Sequence, residues 1–510
     1  MRCEILIGGK AGQGPNFLSE LVANALLKEG YYVFYSRDYQ SLIRGGHNFN
    51  LVSFSDSPVF SNTSKVDVMV CLDDNTSKVH KKDLKKDAIV VDFVQGKGNT
   101  YFAGVLFKIL EIPFSILENE LKNYGKLEEN LKDAKEGYAH NGRSLKFKIK
   151  KAGHKLALFN GSEATAFSAL KSGLDLYYAY PMTPATPLMM ELGTMQLDKG
   201  NKHKVIEVEN EIAAALVGVG SAVVGKRVMV GTAGGGFDLM AESLSFIAQA
   251  EVPIVFYLAQ RPGPGTGVAT YTSQGDLNMA LHTGHGEFFR MVLAPGDNEE
   301  CVKLTNDAFY FSHKYRVPSI FLTDKHLGEG KSLFDKEKSL KSVKEVKSSV
   351  KVGERFNSYE HDKKLDKIAT EDAEVIKANF DARMKKEKEI IKESEKFEQV
   401  KVYGNKNSKN LILSWGSTKG AILDALNENK IDAKFVQVLY MNPFPTKQIK
   451  EVIGKAKKVL VVENNFESPL SRLVAEKTGV LIEDKNKILR YDGRPFFSDE
   501  LAEEIKGRLK

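Results

Sequence analysis

Residues 175–192 read "DLYYAYPMTPATPLMMEL", and residues 204–225 read "KVIEVENEIAAALVGVGSAVVG". The first stretch is an apolar strand pattern that runs into Pro181, Pro184 and Pro187, so no helix is expected until Pro187 has passed. The second is a short strand followed by an apolar helix with Glu211 at its mouth. Strand, loop and helix twice in succession point to a parallel α/β sheet, whose ligands gather at the carboxyl ends of the strands.

The alternation extends in both directions. Toward the N-terminus, "CEILIGG", "NFLSELVANALLKEG", "YYVFYS", "VDVMVCLDD" and "AIVVDF" read as a first parallel α/β layer, which fades into a lysine-rich stretch near 121–153. A second unit opens at "LALFNGSEATAFSALKSGL" and continues through the two quoted stretches, "KRVMVGT", "VPIVFYLAQ" and "PSIFLTD". A third holds "NLILSWGSTKGAILDALNE", "DAKFVQVLYMNPFP" and "KVLVVENNFESPLSRLVAEKTG". The expected architecture is α/β in three units, spanning 1–150, 151–330 and 409–510. A lysine-rich connector over 331–408 carries an amphipathic helix near 372–398, with Ile376, Phe380, Met384 and Ile391 on one side, read as a packing arm. The length of 510 residues agrees, at roughly 150 residues per domain.

Composition excludes several classes. A content of 42% hydrophobic and 27% charged residues is that of an ordinary globular chain, and a net charge of +7 is small against 73 basic and 66 acidic side chains. No nucleic-acid partner is expected, because the lysine runs carry few aromatics; an acidic protein partner stays open. Cys3, Cys71 and Cys301 are too scattered for a disulfide framework, a zinc site or an iron–sulfur site. The start "MRCEILIGGK" lacks a signal peptide's apolar core, and the longest apolar run, 212–225, is shorter than the ~20 residues that span a bilayer. The expectation is a cytoplasmic protein with no membrane association.

Several loops are candidates for chemistry. "GGKAGQGP" places Gly8, Gly9, Gly12 and Gly14 between a strand and a helix, either to face a phosphate, with Asp38 as a ribose partner, or to allow close packing. Arg44, Gly45, Gly46 and His47 form a bend that binds an anion or simply turns. Gly234, Gly235 and Gly236 in "GTAGGGFDLM" are open to the same two readings. "AQRPGPGTGVATYTSQGDL" holds Arg261, Thr266 and Thr272 in a rigid loop after a strand, and arginine is well shaped to grip a carboxylate. His282 and His285 lack a nearby third metal ligand. Glu211 is either a helix cap or a buried functional acid.

Taken in order, these motifs resemble the 2-oxoacid:ferredoxin oxidoreductases. "YPMTPAT", "VENEIAA", "QRPGPGTG" and "HGEFFRMVLAPGD" are similar to motifs of that family's alpha subunit, and "GGKAGQG" and "SLIRGGHNFN" to its gamma subunit. The resemblance covers nearly the whole chain and is nearest to the 2-oxoglutarate type. It implies a fused gamma–alpha subunit: a gamma-type domain, a thiamine diphosphate pyrimidine-binding-type domain with a mostly parallel sheet, and a transketolase C-terminal-like domain. It also implies that Glu211 hydrogen-bonds the cofactor's ring nitrogen, that Tyr180, Pro181, Gly234 and Gly235 line the cofactor, and that Thr183, Arg261 and Thr266 meet the substrate.

The family's diphosphate cradle, a Gly-Asp-Gly loop with magnesium, has no counterpart here, and neither do clustered cysteines. The resemblance places Mg2+ and an iron–sulfur cluster on a beta subunit, with ferredoxin as electron acceptor and coenzyme A as co-substrate. "TAGGG" departs from the family's usual Ser-Gly-Pro-Gly turn, and Gly265 and Ser273 replace a usual serine and an acidic residue. The expected reaction is the coenzyme A-dependent oxidative decarboxylation of 2-oxoglutarate. Alternatives are a pyruvate or branched-chain 2-oxoacid substrate, a non-catalytic scaffold subunit, and a dinucleotide-linked dehydrogenase using "GGKAGQG" and Asp38.

Overall fold

A seven-stranded sheet lies at the centre of the computed structural model, which describes residues 1–40, 46–140, 142–154, 156–362, 364 and 369–510. Its spatial order is Tyr440–Asn442, Met291–Leu293, Ser319–Asp324, Val255–Gln260, Val228–Thr232, Leu176–Ala179, Lys204–Glu207. Every neighbouring pair is parallel except the first, which is antiparallel. Val228–Thr232, Val255–Gln260 and Ser319–Asp324 are buried at every position, as a sheet covered on both faces requires. The strand that opens the second unit, Ala157–Phe159, stays outside this sheet and pairs antiparallel with Ser332–Phe334.

The N-terminal unit is a five-stranded sheet in the order Tyr32–Asp38, His47–Ser55, Arg2–Lys10, Val66–Cys71, Leu84–Val91. His47–Ser55 runs antiparallel to both neighbours, so the layer is mixed rather than parallel as expected. The cause is chain length: only residues 39–46 separate Asp38 from His47, and a parallel crossover needs about a dozen or more. Arg44 and Gly45 of that connection lie outside the described residues. Cys3, Cys71 and Cys301 are all buried free thiols.

The C-terminal sheet has the order Val400–Gly404, Lys434–Val438, Asn410–Ser414, Lys458–Glu463, Lys487–Leu489, and only Val400–Gly404 is antiparallel. That strand comes from the end of the segment read as connector. Leu411, Leu413 and the fully buried Trp415 share one apolar cluster with Val292, Ile320 and Leu322 of the central unit. The Trp415 indole N–H donates to Glu463 Oε2 at 2.9 Å.

The connector helix is Ala373–Ser394, and its buried residues are Ile390 and Ser394. Phe380, Met384 and Ile391, expected to pack as a stripe, are exposed. Ion pairs of Arg383 with Glu360 and of Lys386 with Glu251 hold the middle of the helix in place of apolar packing. No helix among the described residues is long and apolar enough to cross a membrane.

Candidate active site at the carboxyl ends of four strands

Four adjacent strands, Val255–Gln260, Val228–Thr232, Leu176–Ala179 and Lys204–Glu207, are parallel, so their carboxyl ends share one edge of the sheet. The loops after them bring Arg261, Gly234 to Gly236, Thr183 and Glu211 together. Arg261 Nη1 donates to the Thr183 carbonyl oxygen at 2.7 Å. A Cβ on Gly236 would stand 2.6 Å from Glu211 Cγ and 2.9 Å from its Oε1; one on Gly235 would stand 3.5 Å from the Gly265 carbonyl oxygen.

Glu211 is 5% exposed at the first position of the helix Glu211–Val223. It is not the cap. Asn210 Oδ1 accepts the Ala213 N–H at 2.8 Å, the usual N-cap bond. Glu211 Oε1 is buried with no hydrogen-bond partner among the described residues, which is costly for a carboxylate unless something outside the chain meets it. The helix itself is not enclosed: Ile212, Leu216, Val217 and Val224 are exposed along one face.

The proline segment folds slightly earlier than its sequence suggests. The helix begins at Thr186, with Pro187 inside its first turn, where the missing N–H would have had no intrahelical partner anyway. Thr183 is half-buried, and Tyr180 and Pro181 are exposed at the rim. On the facing loop, Gly267 has φ +54°, and a Cβ there would lie 1.7 Å from the Pro262 carbonyl oxygen, so only glycine fits this turn. The same turn leaves Thr266 exposed at the tip.

Asp276 belongs to this group and was missed as a functional residue; its "QGDL" context reads from sequence only as an incomplete magnesium motif. Its Oδ2 is buried without a partner, and a Cβ on Gly234 would come within 2.7 Å of that oxygen. Burial, reinforced by Asp238 and opposed by Arg261, pushes the Asp276 carboxyl up to about 7. Burial pulls Arg261 below its ordinary value, with Asp276 and Glu211 opposing. Two enclosed carboxyl groups, each with an orphaned oxygen, therefore flank the turn from Gly234 to Gly236.

The other candidates lie apart. In the N-terminal glycine loop a Cβ on Gly8 would be 2.6 Å from Thr76 Cγ2, and one on Gly14 2.1 Å from Asn99 Nδ2. These glycines serve close packing, and Asp38 pairs with Arg494 at 2.9 Å. His47 Nε2 meets His80 Nε2 at 2.9 Å. The His285 backbone N–H donates to Ser245 Oγ at 2.9 Å, and His282 is exposed. Among the described residues no group of three or more His, Cys, Asp or Glu is arranged to hold a metal.

The side chains fit the aminopyrimidine end of thiamine diphosphate: orphaned oxygens of two buried carboxyl groups, Glu211 and Asp276, flank the turn from Gly234 to Gly236, where a ring nitrogen and an exocyclic amine could meet them. Residues 168–400 match the family model described as "Pyruvate flavodoxin/ferredoxin oxidoreductase, thiamine diP-bdg", and residues 4–92 the one described as "Pyruvate ferredoxin/flavodoxin oxidoreductase". The 2-oxoacid:ferredoxin oxidoreductase subunit alpha of Sulfolobus sp is 28% identical over 615 aligned positions, covering 99% of this chain and 96% of the relative. The 2-oxoglutarate synthase subunit KorA of Methanocaldococcus jannaschii is 29% identical over 61% of this chain and 89% of its own length. The fold is shared, at a TM-score of 0.87, 21% identity and 100% coverage of both chains, with a 2-oxoglutarate:ferredoxin oxidoreductase from Magnetococcus marinus solved with 2-oxoglutarate, coenzyme A and succinyl-CoA bound. Two family models in sequence order and relatives aligned end to end lead to one conclusion: the chain belongs to the 2-oxoacid:ferredoxin oxidoreductases.

Proposed function

We propose that this chain is the ring-binding and substrate-binding half of an active site that converts 2-oxoglutarate and coenzyme A to succinyl-CoA and carbon dioxide, passing the electrons to ferredoxin. The observation that carries the reading is the buried, unpartnered Glu211 Oε1 at the strand ends. A carboxylate so placed can hold a proton toward a weakly basic ring nitrogen. Thiamine diphosphate, when bound, supplies the electron sink for the charge left by decarboxylation.

The remaining residues position and desolvate. Gly234 and Gly235 form the floor of the ring site, and Tyr180 and Pro181 its rim. Arg261 is steered by the Thr183 carbonyl, so that its remaining N–H groups face a substrate carboxylate. The Thr183 and Thr266 hydroxyls would hydrogen-bond the oxo group and the second carboxylate. Asp276, whose carboxyl is raised to about 7 by burial, keeps its proton below neutrality and can then donate a hydrogen bond beside Arg261.

A beta subunit completes the site. The exposed apolar face of Glu211–Val223, with Leu239 and Val268 also exposed, lies next to the orphaned carboxylate, where a partner's diphosphate cradle, Mg2+ and iron–sulfur cluster would have to dock. Coenzyme A carries several phosphates. A cleft of about 500 Å³ between the N-terminal sheet and Tyr271 and Thr272, lined by Arg37, Lys65, Lys82, Lys325, Arg490 and Arg494 together with Asp38, Asp83 and Glu500, is its candidate site, with Lys65 and Lys82 as the cations not engaged in ion pairs among the described residues. Three unpaired buried thiols agree with a reducing, cytoplasmic setting.

The test is anaerobic viologen reduction by the chain co-expressed with its beta partner, comparing 2-oxoglutarate, pyruvate and 2-oxoisovalerate with coenzyme A present and absent. Coenzyme A-dependent reduction preferring 2-oxoglutarate supports the reading. Preference for another acid corrects the substrate, and no reduction by a fully loaded complex leaves a scaffold role.

A further inference from the structure

Arg290 is a buried cation without a counter-ion among the described residues. It is 5% exposed, immediately before the strand Met291–Leu293, where its carbonyl accepts from Asn442 Nδ2 at 2.6 Å and fixes the backbone. Its Nη1 donates to the Thr283 carbonyl oxygen, and its guanidinium lies 4.2 Å from the centroid of the Phe288 ring. Among the described residues no carboxylate pairs with it, and Nε and Nη2 meet no acceptor. Burial alone pushes the guanidinium down to about 10, the sign of a charge held in place without compensation.

This arginine lines a cavity of about 560 Å³ at the amino ends of the central strands, opposite the active-site edge. The walls are apolar: Leu281, Phe288, Val317 and Pro318 on the sheet side, Phe380 and Met384 from the helix Ala373–Ser394. The other lining cations are already matched, Arg316 with Glu354, Arg383 with Glu360 and Lys386 with Glu251. Glu287 and Glu387 on the rim are exposed. The stripe of Phe380 and Met384, left uncovered by the rest of the chain, borders this cavity.

We propose that the cavity binds a small apolar monocarboxylate, its carboxylate gripped by the Nε and Nη2 edge of Arg290 and its hydrocarbon body held by Phe288, Val317, Phe380 and Met384. One unmatched guanidinium edge fits one planar anion with two parallel bonds. A single uncompensated positive charge calls for a single negative one. The volume lies in the range of small-molecule sites, roughly 300–1,000 Å³.

The test is calorimetric titration of the full chain with sodium octanoate, 1-octanol and inorganic phosphate, using wild type, Arg290→Gln, Arg290→Lys and Met384→Glu. Saturable binding of octanoate is expected, with octanol and the Arg290→Gln variant each weaker by about tenfold or more and Arg290→Lys between them. Met384→Glu changes an exposed residue, so it folds even where Arg290→Gln does not, and is expected to abolish octanoate binding. Absence of octanoate binding to wild type, equal binding of octanol, displacement by phosphate at equal affinity, or unchanged binding in Met384→Glu would overturn the proposal.

Discussion

Arg261 and Thr183 stand at the ends of two strands that are not neighbours: Val228–Thr232 lies between them, and the Arg261 Nη1 bond to the Thr183 carbonyl spans the glycine turn that follows it. The bond therefore sets both the arginine and the proline segment. Arg261→Lys keeps the charge and loses the planar fork, so KM for the 2-oxoacid should rise by about tenfold or more, with Arg261→Ala worse. Steady-state kinetics of the assembled complex check this; equal KM values would remove Arg261 from the substrate site.

Gly236 has no room for a side chain. A Cβ there would stand 2.1 Å from Thr232 Oγ1 and 2.6 Å from Glu211 Cγ. Gly236→Ala should cost about 1–3 kcal/mol of stability and, by displacing Glu211, on the order of a hundredfold in turnover. Urea unfolding and turnover of the same variant measure the two effects, and normal turnover would separate Glu211 from the chemistry.

Asp276 makes stability depend on pH. Its carboxyl ordinarily titrates near 3.8, and burial, with Asp238 adding, raises it to about 7 in the folded chain. Between those values the folded state keeps a proton that the unfolded state has released, so this group's contribution to stability falls as pH rises through that window. Asp276→Asn removes the dependence and should gain about 1–3 kcal/mol over wild type at pH 8 and little at pH 4. Parallel stability curves for the two proteins would contradict the assignment.

Much of this site was legible because it is written in loops that follow buried strands. Unbroken apolar runs such as "VPIVFYLAQ" locate parallel strands, and proline and glycine mark the turns beyond them. What was not legible depended on which surfaces meet. The hairpin from Tyr32 to Ser55 reverses a strand that looked parallel, because apolar content carries no direction. Asp276 gains its character from burial against Gly234 and from Asp238, both distant in sequence. The helix Glu211–Val223 is apolar enough for a core, yet one face is bare, because periodicity reports that a face is apolar without saying which molecule covers it.

That bare face gives a prediction about assembly. Leu216 is 54% exposed, so Leu216→Glu should leave the stability of the isolated chain within about 0.5 kcal/mol while preventing association with the beta subunit. Thermal unfolding of the chain and co-purification of the pair check the two halves; a variant that assembles normally would place the partner elsewhere.

The central claim is that Glu211 holds a proton toward the cofactor ring, and the most direct measurement is deuterium exchange at C2 of bound thiamine diphosphate, by acid quench and NMR, in complexes carrying Glu211 or Glu211→Gln. Exchange should slow by about a hundredfold or more in Glu211→Gln with the cofactor still bound. Equal exchange rates at equal occupancy would contradict the account.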